Sequence, residues 1–146
     1  MGPDFEVTAT ALASMGVALF ALGHTADGLA SVERARATLE KLGGPEHHAV
    51  GVVLLQLGEL RRDHGEHDLA IRAFGRAVAI FQQGEPDTRR LAASRFALAR
   101  ELWDTRDDRA RAIVLARAAE LDLQPLGAAA DRERKRITTW VALRSR

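Results

Sequence analysis

The sequence predicts an all-α fold, an α-solenoid of about three helical hairpins closed by a C-terminal capping helix. Three observations predict it. Ala, Leu, Arg and Glu, all strong helix formers, dominate the 146 residues, whereas β-branched residues are sparse and aromatic residues make up only 5%. The chain also resembles itself at a fixed offset of 42 residues, and a period of roughly 20 to 50 residues marks a stack of repeated supersecondary units. Finally, glycine and proline fall where such hairpins need their ends.

The offset runs without a gap through the first two copies. It places Leu12 on Leu54, Gly16 on Gly58, Gly23 on Gly65, Leu29 on Ile71, Val32 on Phe74, Ala35 on Ala77 and Leu39 on Phe81. A second step reaches Phe96, Ala112, Ala116 and Ala119, but Arg100 and Asp107 stand where the earlier copies carry glycine, so the third copy is degenerate. The copies span about residues 9–50, 51–92 and 93–124 of a single domain. A glycine inside a helix costs roughly 1 kcal/mol against alanine, so Gly16 and Gly58, in register, imply that two helices approach closely there. Gly23 and Gly65 are read as the turns.

Seven helices follow, near residues 4–22, 25–42, 46–64, 66–83, 86–105, 107–123 and 127–144. Gly43-Gly44-Pro45 and Gly84-Glu85-Pro86 put glycine where a helix ends and proline where the next begins, an asymmetry set by the backbone. Asp107 and Asp108 sit where a helix wants a cap and a negative charge. The last helix carries an apolar stripe of Ile137, Trp140 and Val141 beneath Arg132, Arg134, Lys135, Arg136, Arg144 and Arg146. That is the polar outer face a terminal repeat needs to stay soluble.

Composition narrows the function classes. With 47% hydrophobic and 28% charged residues the chain is globular in character. The absence of cysteine excludes disulfides and thiol catalysis, is compatible with a reducing cytosol, and makes a cytoplasmic location the expectation. The 21 basic residues nearly cancel the 20 acidic ones, so no global field favours nucleic acid or an anionic membrane. The basic tail helix shows neither aromatic interleaving nor a repeated basic stripe, which argues against nucleic acid. From Val7 to Gly23 no residue is charged, but Thr8, Thr10, Ser14 and Gly16 interrupt the run, no basic flank precedes it, and it reads as too short and too polar to span a bilayer.

Catalytic signatures do not stand out. There is no phosphate-cradling glycine loop, nucleophile elbow or kinase signature, and no cofactor is expected. His64, Glu66 and His67 lie within four residues and His47-His48 form a pair. A metal-dependent hydrolase using His64 and His67 is the reading they would support, but both straddle an expected turn, where histidines are ordinary surface residues. Glu59, Glu101 and Asp104 read as solvated faces with intrahelical ion pairs.

Leu54, Leu57 and Gly58, followed by Ala70, Phe74 and Ala77, give a spacing that resembles the tetratricopeptide repeat family in its longer 42-residue form, also seen in kinesin light chains. The resemblance covers about residues 9–123. A narrower likeness joins Arg95 through Asp104, Asp108 through Ala112 and the late Trp140 to the C-terminal repeat regions of large bacterial serine/threonine protein kinases. It implies a fragment whose kinase domain lies upstream, with Met1-Gly2 an added start.

The family resemblance implies a concave groove, lined by the first helix of each hairpin, that receives a partner's peptide or helix. By position that wall is Thr10, Ala13, Val17 and Phe20, then Val52, Gln56, Glu59 and Arg62, then Ser94, Leu98, Glu101 and Asp104. Family members that clamp a carboxylate use basic residues and asparagine on this face; Ala13, Val17, Val52 and Gln56 stand here, so a carboxylate clamp is not expected. The first helix is wrapped in apolar residues, among them Leu12, Met15, Leu19 and Phe20, and an exposed patch of that kind wants a cover. Upstream repeats of a longer chain or a second copy would supply it, and a homo-oligomer is the expectation for the isolated chain. The expected function is a non-enzymatic protein-interaction scaffold, with self-association through the first helix as the alternative.

Overall fold

The computed structural model describes residues 4–83 and 87–146. The expected boundary at Gly84-Glu85-Pro86 and the Met1-Gly2 start lie outside them. Seven α-helices occur among the described residues: α1 (Asp4–Ala21), α2 (Thr25–Gly43), α3 (His48–Asp63), α4 (His67–Gln82), α5 (Thr88–Asp104), α6 (Arg109–Leu123) and α7 (Asp131–Arg144). The fold is all-α, with neighbouring helices packed in the repeat-like manner of an α-solenoid. By contacts the chain divides into two compact units, Met1–Ile80 and Phe81–Arg146.

The first two turns are built alike because their sequences are alike. The Gly23 amide donates to the carbonyl of Phe20 and the His24 amide to that of Leu19, at 3.0 and 2.9 Å; 42 residues later Gly65 donates to Arg62 and Glu66 to Arg61, at 3.0 and 2.8 Å. This paired bonding closes a helix through one left-handed residue, and glycine takes that conformation without a Cβ penalty. Gly23 and Gly65 hold φ of 92° and 83°. In the third copy the left-handed residue is Arg106, at φ 61°, one position before the Asp107 that aligns with the glycines. An L residue there costs on the order of 1 kcal/mol.

Side chains cap the starts of α3, α5 and α6. Asp87 accepts the Arg90 amide at 3.2 Å and Asp108 accepts the Arg111 amide at 2.9 Å. Of the expected Asp107-Asp108 pair, Asp108 is thus the cap. The expectation that Pro45 opens a helix is corrected. Pro45 and Glu46 lie in the turn, and His47 caps α3 by accepting the Ala49 amide on Nδ1 at 3.1 Å. The last helix also begins later than its sequence suggests. A 3-10 segment, Gln124–Ala130, intervenes and is kinked at Gly127, so α7 starts at Asp131.

Helices do approach closely at Gly16 and Gly58. A Cβ built on Gly16 would lie 2.7 Å from both the Gly28 carbonyl oxygen and Val32 Cγ2, and one built on Gly28 would lie 2.6 Å from the Gly16 carbonyl oxygen. In the first hairpin, then, two backbones touch through a pair of glycines. In the second, a Cβ on Gly58 would lie 2.5 Å from the Phe74 ring, and Phe74 is the residue aligned with Val32. Here the glycine makes room for a large side chain. Where the third copy has Arg100 instead, the aligned residue on the second helix shrinks to Ala116. Bulk lost on one helix is regained on the other, as close packing requires.

Candidate protein-binding surfaces

Within the first unit, α1 and α3 lie side by side and run the same way. The Phe5 ring meets His47 edge-on at 6.2 Å at one end, and Phe20 meets His64 at 6.4 Å at the other. Between these ends the expected wall is partly open. Thr10, Val17, Phe20, Val52, Gln56 and Arg62 are half-buried and Glu59 is exposed, while Ala13 is buried. On α5, Asp104 is exposed but Ser94, Leu98 and Glu101 are buried. Only part of the expected wall is therefore presented to solvent.

Behind that face a chain of charges ties α2 to α3 and α4. Arg61 bridges Glu66 at 2.9 Å and Glu33 at 3.0 Å, Arg36 bridges Glu33 at 2.8 Å and Glu40 at 2.9 Å, and Arg76 reaches Glu40 at 2.5 Å. Burial pushes the Glu33 carboxyl up, but hydrogen bonds from Arg36 and Arg61 outweigh it and hold the group below the ordinary carboxylate value. Glu40 is lowered in the same way, with hydrogen bonds from Arg76 and Arg36 overcoming its burial. The 42-residue offset maps Arg61 onto Leu19, so α1 could not form the same bridge with a preceding hairpin.

The free side of α1 is apolar. Ala9, Ala13 and Gly16 are its buried residues, whereas Val7, Met15 and, just past its end, Leu22 are 69%, 52% and 76% exposed. Leu12, Leu19 and Phe20 are half-buried. The reading of this run as too short and too polar for a membrane is corrected in one respect: the helix has 18 residues and a mean hydropathy of 1.3, enough by length and composition alone. Thr10, one of the interrupting polar residues, is neutralised locally, since its hydroxyl donates to the Glu6 carbonyl at 2.6 Å.

His47 and His64 serve the frame. His47 caps α3 and its Nε2 lies 3.9 Å from Glu6; His64 Nε2 lies 4.0 Å from Glu66. No group of three His, Cys, Asp or Glu arranged to hold a metal occurs among the described residues.

One cluster escaped the sequence reading, which found no aromatic interleaving in the basic tail. Trp140 of α7 meets Phe96 and Trp103 of α5 edge-on, at 5.7 and 5.8 Å. Arginines cover these rings: Arg144 lies 4.4 Å from the Trp140 centroid, Arg109 4.7 Å from Trp103, and Arg136 5.8 Å from Phe96. The signal was present as Phe96, Arg100 and Trp103 on one helix and Arg136, Trp140 and Arg144 on another, each at helical spacing. It went unread because the interleaving arises only when α5 and α7 come together.

Comparison with curated protein sequences finds no match. A family model described as tetratricopeptide repeat matches residues 7–83, which is 77 of the 146 positions and takes in α1 through α4. Paired helices meeting at small residues, with the same glycine turn recurring after 42 positions, are what that match requires, and the chain belongs to the tetratricopeptide repeat family.

Proposed function

We propose that this chain is a protein-interaction scaffold that receives a partner's peptide or helix along the strip between α1 and α3. Tetratricopeptide repeats generally mediate protein–protein interaction, and their all-helical fold is typically non-catalytic. The observation that carries the proposal is the half-open strip itself. Thr10, Val17 and Phe20 face solvent in part beside Val52, Gln56 and Glu59, an apolar lane with a polar edge of the kind protein partners use. Charge reversal of Glu59 and Arg62 together should abolish capture of a cognate partner while leaving helical circular dichroism unchanged. Capture that survives both reversals would remove this strip from the function. As part of the same proposal, such a scaffold would serve the recruiting region of a signalling protein, a reading that the likeness of Arg95 through Asp104 to kinase C-terminal repeat regions supports.

A second reading, self-association through α1, is supported by the exposure of Val7 and Met15 on a helix face without charge, with Leu22 exposed just past its end. Met15 is a cleaner probe than Phe20, whose Cβ would lie within 2.9 Å of a Cβ built on Gly28. Met15→Glu should convert a sedimenting dimer to a monomer without loss of helicity; a wild-type chain already monomeric at micromolar concentration would remove this reading.

A further inference from the structure

We propose that the arginine-covered aromatic seam between α5 and α7 is a binding site for a short carboxylate-rich peptide segment. The proposal rests on the protein-binding reading and names a partner chemistry and a second surface for it.

Four arginines of this unit have carboxylate partners: Arg89 pairs with Glu133, Arg90 with Asp87, Arg95 with Asp122 and Arg134 with Asp131. Arg109, Arg136 and Arg144 pair instead with rings, and among the described residues no carboxylate lies within ion-pair distance of any of them. Stacking on an aromatic face holds a guanidinium flat and leaves its N–H edges directed away from the ring. Two of the three are fixed further by backbone carbonyls, Arg144 within α7 and Arg109 at the end of α5. Arg144 Nη1 donates to the Trp140 carbonyl at 3.3 Å, and Arg109 Nε to the Trp103 carbonyl at 3.4 Å. Arg144 also lies 5.8 Å from the Trp103 centroid, so it and Arg109 address one ring and sit within the reach of a single short segment. Arg109 and Arg136, planar guanidinium groups without a counterion, match carboxylates, which accept two parallel N–H bonds from one guanidinium, while Arg144, with Nη1 bonded to Trp140 and Nε buried, adds positive charge beside them.

The surroundings agree in sign. Residues 81–146 carry fourteen basic against ten acidic side chains, whereas residues 1–80 carry seven against ten. The rings themselves are closed to a ligand: Phe96 and Trp140 are 6% and 9% exposed, and Trp103 lies under two arginines. A nucleic acid base would therefore find no free face on which to stack, although stacking is what single-strand binding depends on. Asp104, Asp107 and Asp108 are exposed just beyond Trp103 in the chain. They limit the anionic stretch the seam tolerates and disfavour a continuous phosphate backbone.

The seam carries its own reporter. The chain has two tryptophans and no tyrosine, and both tryptophans are in the seam. The test is titration of the full chain with a short peptide of alternating glutamate and alanine, followed by tryptophan emission and by the anisotropy of a dye on the peptide. An oligothymidylate of equal charge runs in parallel. The expected result is saturable binding that weakens with salt, at least about tenfold weaker in the Arg109→Gln, Arg136→Gln double variant. Both residues are exposed, so the fold should survive. The same double change should matter more than Arg117→Gln, an exposed arginine of α6 that stacks on none of these rings. No saturable change, equal affinity in the double variant, or tighter binding of the oligothymidylate would each overturn the proposal. None of these results depends on Glu59 or Arg62, so the strip between α1 and α3 stands or falls separately.

Discussion

Val53, Leu54, Leu57 and Leu60 on α3 are all buried, at 5% exposure or less, while 42 residues earlier on α1 Ala11 and Ala18 are exposed, Leu12 is half-buried and Met15 is half out in solvent. The two helices occupy the same place in their repeats and both turn at a Schellman-type glycine. What differs is the neighbour. α3 packs on α1 and α2 of the preceding hairpin and, through Gly58 and Phe74, on α4; among the described residues α1 packs on α2 and α3. In a repeat architecture an apolar residue is buried by the adjacent unit rather than by its own. The apolar side of α1 is thus left without such a neighbouring unit among the described residues. The comparison extends to charge, since Arg61 joins α3 to α2 through Glu33 where α1 has Leu19.

Truncation tests the comparison most severely. Leu57→Ala should cost about 3 kcal/mol in urea unfolding, because the buried site cannot fully collapse. The aligned Met15→Ala should stay within about 0.5 kcal/mol at low protein concentration. Equal losses would mean that α1 is covered after all. A smaller difference is expected at the two aligned glycines. Gly16→Ala drives a methyl into the Gly28 backbone, which cannot yield without moving a helix, and should cost about 2 kcal/mol net of the gain in helix propensity. Gly58→Ala meets only a ring edge, should cost about 1 kcal/mol, and should be partly restored by Phe74→Leu. A neutral Gly16→Ala would show that the helices of the first hairpin do not touch through their backbones.

The smallest effect concerns the ion chain. Arg61→Leu makes α3 resemble α1 and should cost about 1 kcal/mol near neutrality, since these side chains are partly solvated. Its pH dependence has a definite sign. The Glu33 and Glu40 carboxyls are held below their ordinary value of 4.5. Their contribution is therefore full above pH 4.5 and fades as acid protonates the folded protein. Wild type and Arg61→Leu should differ at neutral pH and converge in strong acid by thermal unfolding. A gap that persists there would assign the loss to packing of the Arg61 stem.

Much of this fold was legible in residues. The helices, their order and the close approach at Gly16 and Gly58 follow from spacing, because local propensity and small-residue register act over a few turns. The third copy was less legible. Its left-handed turn falls on Arg106, which no turn preference marks, and the delayed start of α7 depends on how Gln124–Ala130 resolves the conflict between Pro125 and Gly127. The expected binding wall was drawn by position alone, and burial removes Ala13, Ser94, Leu98 and Glu101 from its open surface.

The sequence by itself determined that the chain is helical, where the first two hairpins turn, and which small residues lie where helices meet. Those outcomes depend on interactions between residues a few positions apart, or on a repeat that states them twice. Only the tertiary structure decided which apolar residues are covered and which arginines are left without a carboxylate. Both are properties of neighbours brought from distant parts of the chain: Met15 and Leu57 differ through what packs beside them, and Arg109, Arg136 and Arg144 become one surface only because α7 folds back onto α5.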